Sequence, residues 1–271
     1  MRGLLRMQPD QNSLQGKVAF VTGVGSGIGQ ATAEYLAASG VRVAGLTTKL
    51  DEAKATAQRI KERGGEAIPL QGDISSNSDM ELAVRTIEKQ WGQLDIVVAN
   101  AGINGVWASL EDLSEEDWQK TLDVNLKGTF LTVKHALPML KKRGGAVVIV
   151  SSVNGTRIFS NTGATAYSCS KAGQVVFSRM AALELAKHRI RVNTVCPGAI
   201  DTKIDQNTEH RNLEAVREPV VFPEGQIPLT DGKSGSALQV AKLISFLASD
   251  QADHITGTEV FIDGAESLLQ G

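Results

Sequence analysis

Seven short apolar runs, separated by longer stretches of helical character, constrain this chain more than any other feature. The runs are KVAFVT (17–22), VRVAGL (41–46), EAIPL (66–70), DIVVA (95–99), AVVIV (146–150), RVNTV (191–195) and TEVFI (258–262). Several carry Val and Ile at consecutive positions, the pattern of parallel strands covered by helices on both faces. Helical stretches fall between them at about 28–39, 51–63, 78–90, 115–140, 165–187 and 236–248, and most junctions are marked by glycine, as at Gly40, Gly64-Gly65, Gly92 and Gly144-Gly145. This alternation predicts an α/β fold: one doubly wound parallel sheet of seven strands in a single domain over 14–271, after a flexible polar extension at 1–13. One irregular segment, about 199–235 with Pro219, Pro223 and Pro228, is long enough to be expected to be functional or disordered rather than a mere connection.

The 271 residues, 42% hydrophobic, suffice to bury one large core. A net charge of −2 argues against a nucleic-acid or anionic-membrane surface. The basic run Lys141-Lys142-Arg143 closes a helix before Gly144, where it suits the helix dipole. Two cysteines, Cys169 and Cys196, without CxxC spacing predict a reducing compartment and no disulfide. Four scattered histidines lack any metal-ligand spacing, so no metal site is expected. No run approaches the ~20 apolar residues of a membrane span, and the N-terminal MRGLLRMQPD lacks the apolar region of a signal peptide. A soluble, cytoplasmic protein is expected.

The first strand runs into VTGVGSGIG, Val21 to Gly29, which opens the first helix. Gly23, Gly27 and Gly29 permit a tight turn, close approach to a pyrophosphate and close helix packing, with free N–H groups facing the phosphates. The spacing is not GxGxxG; its place at the first strand–helix junction is what points to dinucleotide binding. DGKS (231–234) is no P-loop, because Ile227 stands where that motif needs glycine.

From here the chain resembles the classical short-chain dehydrogenase/reductase family over nearly all of 16–265, similar in particular to its 3-oxoacyl-ACP reductase and glucose dehydrogenase members. The family's TGxxxGxG is Thr22-Gly23-x-x-x-Gly27-x-Gly29; its NAG is Asn100-Ala101-Gly102, preceded by Ala99 where Asn is usual. Asp123-Val124-Asn125, the serine of IVSSVNG at Ser152, Tyr167 and Lys171 as YxxxK, Pro197-Gly198 with Thr202, and ITGTEVFIDGA complete the series. Two departures stand out. Ser152 and Tyr167 lie fifteen residues apart, two more than the commonest family spacing, and the extra length is expected in the loop 156–163 at the substrate rim. The closing motif reads Asp263-Gly264-Ala265 where a second glycine is usual, a change expected to alter little.

The resemblance implies a Rossmann-type oxidoreductase that moves a hydride between NADP(H) or NAD(H) and a carbonyl or secondary alcohol. On a helix Tyr167 and Lys171 share a face one turn apart. A free tyrosine, with a pKa near ~10, is too weak an acid to shuttle protons at neutral pH, and a neighbouring ammonium favours its phenolate. By resemblance Tyr167 is the general acid/base, Lys171 tunes it and holds the nicotinamide ribose, Ser152 orients the substrate oxygen, and Asn125 holds a water of a proton relay. Cys169, between Tyr167 and Lys171, reads as small-residue packing. The cofactor set implied is Gly23, Gly25, Ser26, Gly27, Ile28 and Gly29; Thr47, Thr48 and Lys49; Asp73 and Ile74; Asn100, Ala101 and Gly102; Tyr167 and Lys171; and Pro197, Gly198, Ile200 and Thr202.

An acidic residue normally ends the second strand and selects NAD. Thr47 stands there, followed by Thr48 and Lys49, which favours NADP, although Ser26 replaces the arginine that many NADP-using relatives carry in the glycine turn. The substrate is expected between residues after Gly102 (Ile103, Asn104, Trp107), the 153–163 loop with Arg157, and 199–235. It is a small carbonyl or alcohol: a secondary alcohol, ketone, sugar or 3-oxoacyl thioester by resemblance. Leu126, Phe130, Val133, Val176, Met180 and Leu183 serve either the sheet core or a homotetramer interface. A non-catalytic dinucleotide-binding redox sensor is the rival reading, and an intact Ser152, Tyr167 and Lys171 set argues against it. An extended nucleotide-sugar epimerase fits poorly, since no second substrate domain follows the seventh strand.

Overall fold

The computed structural model describes residues 13–202, 208–216 and 226–270. The expected extension at 1–13 lies outside them except for Ser13, as do Pro219 and Pro223. Strands β1 (Val18–Thr22), β2 (Arg42–Thr47), β3 (Ala67–Gln71) and β4 (Ile96–Ala99) alternate with helices α1 (Gly27–Ala38), α2 (Leu50–Glu62) and α3 (Asn77–Trp91). A short strand β5 (Val106–Ala108) and helices α4 (Glu115–Leu122) and α5 (Gly128–Arg143) lead to β6 (Gly145–Val150). The order continues with α6 (Thr165–Leu185), β7 (Ile190–Pro197), β8 (Ile200–Asp201), β9 (Glu209–Arg211), β10 (Gly235–Ser236), α7 (Ala237–Ala248), β11 (Glu259–Ile262) and α8 (Glu266–Gln270).

The main sheet has seven strands in the order β3-β2-β1-β4-β6-β7-β11, every neighbouring pair parallel. Strand pleating sends alternate residues of β1 to opposite faces: Val18 and Phe20 join Met80, Ile87 and Leu140 on one side, Ala19 and Val21 join Leu36, Ile60 and Ile244 on the other. Two cores result, each side chain such as Phe20 or Leu36 contributing about 1.5–3 kcal/mol on burial. Strand order reverses between β1 and β4, and the crevice beyond their C-terminal ends is where such sheets bind ligands.

The expected helix 115–140 is present and runs on to Arg143, but it is not α-helical throughout. Between α4 and α5, Asp123–Lys127 form a π-helical turn that holds Asn125. The Asn125 carbonyl accepts from Thr129 Oγ1 at 2.7 Å and Gln174 Nε2 at 2.8 Å, side-chain partners that hold the widened turn. The segment 199–235 is also less irregular than expected. β8 pairs with β10, β9 pairs with β5, and Pro228–Thr230 form a 3₁₀ turn.

Candidate active site

The glycine turn leaves β1 at the reversal point. Gly23 has φ +76°, and a Cβ there would lie 2.8 Å from Asn100 Nδ2 and 2.9 Å from Ala101 Cα. A Cβ on Gly29 would run into the Gly23 carbonyl, so α1 packs against its own turn only because both are glycine. Thr22 ties the two strand ends together: its Oγ1 accepts from the N–H groups of Asn100 and Ala101, each at 3.1 Å, and Asn100 Nδ2 donates to the Thr22 carbonyl at 2.9 Å. Ser26, exposed, precedes α1 without a side-chain cap, and the first turn of α1 holds no carboxylate. The N-terminus of α1 therefore directs its positive end into a backbone cradle bordered by Glu52 and Thr202, which fits a pyrophosphate. Ile28 instead packs against the core.

Lys171 and Tyr167 sit on the buried face of α6, 4% and 8% exposed, with Lys171 Nζ 5.5 Å from the tyrosine ring centre. Lys171 Nζ donates to the Val150 carbonyl at 3.0 Å, and Ser151 Oγ donates to the Lys171 carbonyl at 2.8 Å, fixing the helix to the end of β6. Burial lowers the Lys171 pKa to about 8. The neighbouring Cys196 thiol offers no balancing charge, since burial pushes it up to about 12. Ser152, next on the chain, accepts from the Asn154 N–H at 3.1 Å, leaving its own O–H to donate. The two extra residues before Tyr167 leave this strand end intact: Val153–Ile158 fold into a turn in which the Val153 carbonyl accepts from the N–H of both Arg157 and Ile158.

Asn125 is fully buried. Its Oδ1 accepts from the Ile103 N–H at 2.8 Å, and its Nδ2 donates to the Ile103 carbonyl and to Ser170 Oγ, both at 2.9 Å. Ser170 Oγ in turn donates to the Tyr167 carbonyl at 2.7 Å. Gly102 borders this cluster: a Cβ there would stand 3.0 Å from Asn125 Oδ1 and 3.6 Å from Lys171 Nζ, so its absence keeps the space between them clear.

The loop after β7 reaches back across the crevice. Thr202 covers the glycine turn, its Cβ and Cγ2 each 3.2 Å from where a Gly27 Cβ would be. Pro197 ends β7, Ile200 packs into the core beside α7, and Gly198 lies against Glu266, whose Oε2 accepts from the Ala199 N–H at 2.7 Å. Burial first, and the Asp263 charge after it, raise the Glu266 pKa. Ala265, beside it, has φ +72°. The alanine therefore occupies a left-handed conformation in which L-residues are strained by roughly 1–2 kcal/mol, so the missing second glycine is not the neutral change expected.

Around the adenosine end the expectations divide. Asp73 is exposed and its Oδ1 accepts from the N–H and Oγ of Ser75 at 2.8 and 2.7 Å, a turn of its own making. Ile74 turns into the core against Gly128 and presents no free side chain. Thr47 ends β2; the Thr48 carbonyl accepts from Gln71 Nε2 at 3.1 Å, and Lys49 pairs with Glu52 at 3.2 Å.

The expected substrate walls converge. Asn104 Nδ2 donates to Thr208 Oγ1 at 2.7 Å, and Trp107 stacks on His210 with ring centres 5.8 Å apart. Arg211 anchors the same segment to Asp117 at 3.0 Å. Arg157 is half-buried: its guanidinium lies 3.5 Å from the Phe261 ring centre and NH1 donates to Ser267 Oγ at 3.4 Å.

A family model described as enoyl-(acyl carrier protein) reductase matches residues 23–265. The chain belongs to the short-chain dehydrogenase/reductase family. It is 36% identical over 252 residues to the 3-oxoacyl-[acyl-carrier-protein] reductase FabG of Thermotoga maritima, covering 93% of this chain and 98% of that one. The solved 3-ketoacyl-ACP reductase of Sinorhizobium meliloti is 52% identical, with a TM-score of 0.89 over 93% of this chain and 99% of that one. The 3-ketoacyl-(acyl-carrier-protein) reductase of Brucella melitensis, solved with NADH, is 28% identical with a TM-score of 0.82, covering 94% of this chain and all of that one (100%). The chain is accordingly an NAD(P)-dependent oxidoreductase of the short-chain type, on a Rossmann-type sheet.

Sequence reading missed several participants. Ser170 and Gln174 complete the buried network around Asn125, and of these Gln174 was signalled only by its helical spacing from Tyr167 and Lys171. Glu52 and Glu266 approach the crevice from α2 and α8, and no motif marks either.

Proposed function

We propose that the chain interconverts ketones and secondary alcohols, with Tyr167 giving or taking the proton at the substrate oxygen. The observation that carries this reading is the buried Lys171 ammonium 5.5 Å from the Tyr167 ring at the end of the crevice. When bound, the nicotinamide ring donates or accepts the hydride. The Lys171 charge stabilises the phenolate left after the proton is given up, and with a pKa of about 8 it carries that charge at neutral pH. Lys171 would also hold the ribose that bears the nicotinamide. The Ser152 hydroxyl, accepting from Asn154, donates to the substrate oxygen and fixes its direction. Asn125 Oδ1 and Lys171 Nζ flank the space left by Gly102, where a water returns protons to Tyr167 from solvent.

The substrate is a 3-oxoacyl thioester, the class named for relatives at 36% and 52% identity. Gly23–Gly29 would hold the pyrophosphate, and Pro197, Gly198 and Thr202 the nicotinamide end. Thr47, Thr48 and Lys49 support NADP(H); the pairing of Lys49 with Glu52 supports NAD(H), the choice argued below. The protein works as a homotetramer in the cytoplasm. Val133 is buried in the core, but Phe130, Val176, Met180 and Leu183 form an exposed apolar face on α5 and α6 that supports such an assembly.

Purified protein offered acetoacetyl thioester and either reduced dinucleotide is expected to oxidise the dinucleotide, followed by the loss of its ultraviolet absorbance. Consumption only with cyclic ketones or sugars would overturn the substrate class, and no consumption with any carbonyl would overturn the reaction.

A further inference from the structure

The end of β2 has no carboxylate, yet a carboxylate reaches the same neighbourhood from the following helix. Glu52 lies in the first turn of α2. A Cβ on Gly25, in the middle of the glycine turn, would collide with Glu52 Oε2 and stand 3.2 Å from its Cδ and 3.3 Å from its Cβ. The contact is not a chance of one flexible side chain. One helical turn further on, the buried Thr56 donates through Oγ1 to the Val24 carbonyl at 2.9 Å, which ties α2 to the glycine turn beside Gly25. Gly45 of β2 makes room for Val24, whose Cγ2 lies 2.9 Å from where a Cβ would be. β2, α2 and the turn are thus one packed unit, with the Glu52 carboxylate on its outer face.

We propose that Glu52 selects the cofactor: its carboxylate accepts from the adenine-ribose diol and excludes a 2′-phosphate, so that NAD(H) binds in preference to NADP(H). This rests on the reading that the glycine turn holds a dinucleotide. In doubly wound folds the ribose diol is recognised by an acidic side chain beyond the glycine turn, and the requirement is a carboxylate at that place, whichever element supplies it. Thr47 cannot meet it; Glu52, against Gly25, does. A 2′-phosphate carries close to two negative charges at neutral pH. It would meet that carboxylate, and the nearby cation is already engaged, because Lys49 Nζ pairs with Glu52 Oε1 at 3.2 Å. Lys54, the next cation on α2, faces Asp51 at 3.9 Å. Two cations and two carboxylates leave residues 49–54 without net positive charge for a phosphate. Both members of the Lys49–Glu52 pair are substantially exposed, with side-chain exposures of 75% and 42%, so the discrimination is moderate rather than absolute.

The test is binding, free of turnover. NADH and NADPH are titrated by fluorescence, and 5′-AMP and adenosine 2′,5′-bisphosphate by calorimetry, into the wild-type chain, Glu52→Gln and Lys49→Ala. The wild type is expected to bind NADH at least about tenfold more tightly than NADPH, and 5′-AMP more tightly than the bisphosphate. Glu52→Gln is expected to shift both ratios by about tenfold towards the phosphorylated ligand, with Lys49→Ala leaving the wild-type order in place. A wild type that prefers NADPH, or a Glu52→Gln ratio within twofold of wild type, overturns the role of Glu52 while leaving dinucleotide binding standing. Failure of the wild type to bind either dinucleotide removes the dinucleotide reading itself, and this proposal with it.

Discussion

The cluster around Tyr167 and the rim around Glu52 lie at the same edge of one sheet but are built on opposite terms. In the first, Asn125, Ser170 and Lys171 are each less than 5% exposed and their polar atoms are engaged on named partners. In the second, Thr48, Lys49 and Glu52 stand in or near solvent, held by an ion pair and by the helix beneath them. A buried polar network has one satisfied arrangement, so its residues are restricted one by one. An exposed charge near a ligand needs only to be in the right place, and several elements can supply it. The proposed chemistry rests on the constrained region and the proposed cofactor preference on the permissive one.

The sharpest way to break this contrast is Lys171→Met. Turnover is expected to fall at least about a hundredfold, because the phenolate loses its ammonium. Stability is expected to rise. The Lys171 pKa in the folded chain, about 8, lies below its ordinary 10.5, so holding the ammonium costs folding free energy, fully below pH 8 and decreasingly between pH 8 and 10.5. The variant should gain on the order of 3 kcal/mol at pH 7, an advantage that narrows by pH 10, measured by urea unfolding at both. A loss of stability at pH 7 would show that the site is not strained by its own charge.

Asn125→Ala tests the same region from the other side. Removing the amide leaves the Ile103 N–H and carbonyl without their partner and takes away the donor to Ser170 Oγ, and should cost about 2–3 kcal/mol, read in the same unfolding experiment. Variants of the rim, Glu52→Gln included, should move stability by less than about 0.5 kcal/mol. If the two regions responded alike, the contrast between them would be wrong.

The smallest effect is expected at Ala265. Replacement by glycine relieves the φ of +72° and should stabilise by about 0.5–1 kcal/mol with no change in turnover.

How much was legible follows the same division. The seven strands were readable because parallel strands buried on both faces appear as Val/Ile runs, and their bounds shift by a residue or two at most. Tyr167, Lys171, Ser152 and Asn125 were proposed as a set because a fixed order of motifs carries them. The π turn at Asp123–Lys127 was not, since it depends on Thr129 and on Gln174 from another helix rather than on a local breaker. Ile74 and Arg157 were placed near ligands by position alone, and packing claimed both, against Gly128 and Phe261. Ala265 looked innocuous until its backbone angle was seen. Glu52 lies five residues beyond the position normally examined, and only the direction of α2 brings it to Gly25.

The central claim is that Tyr167 moves the proton and does little else. It is tested most directly by loading wild-type and Tyr167→Phe protein with saturating reduced dinucleotide, mixing with a 3-oxoacyl thioester and following single-turnover hydride transfer. The account predicts dinucleotide affinities within about threefold of each other and a transfer rate lowered by about 10³ in the variant. A Tyr167→Phe rate within tenfold of wild type would contradict it.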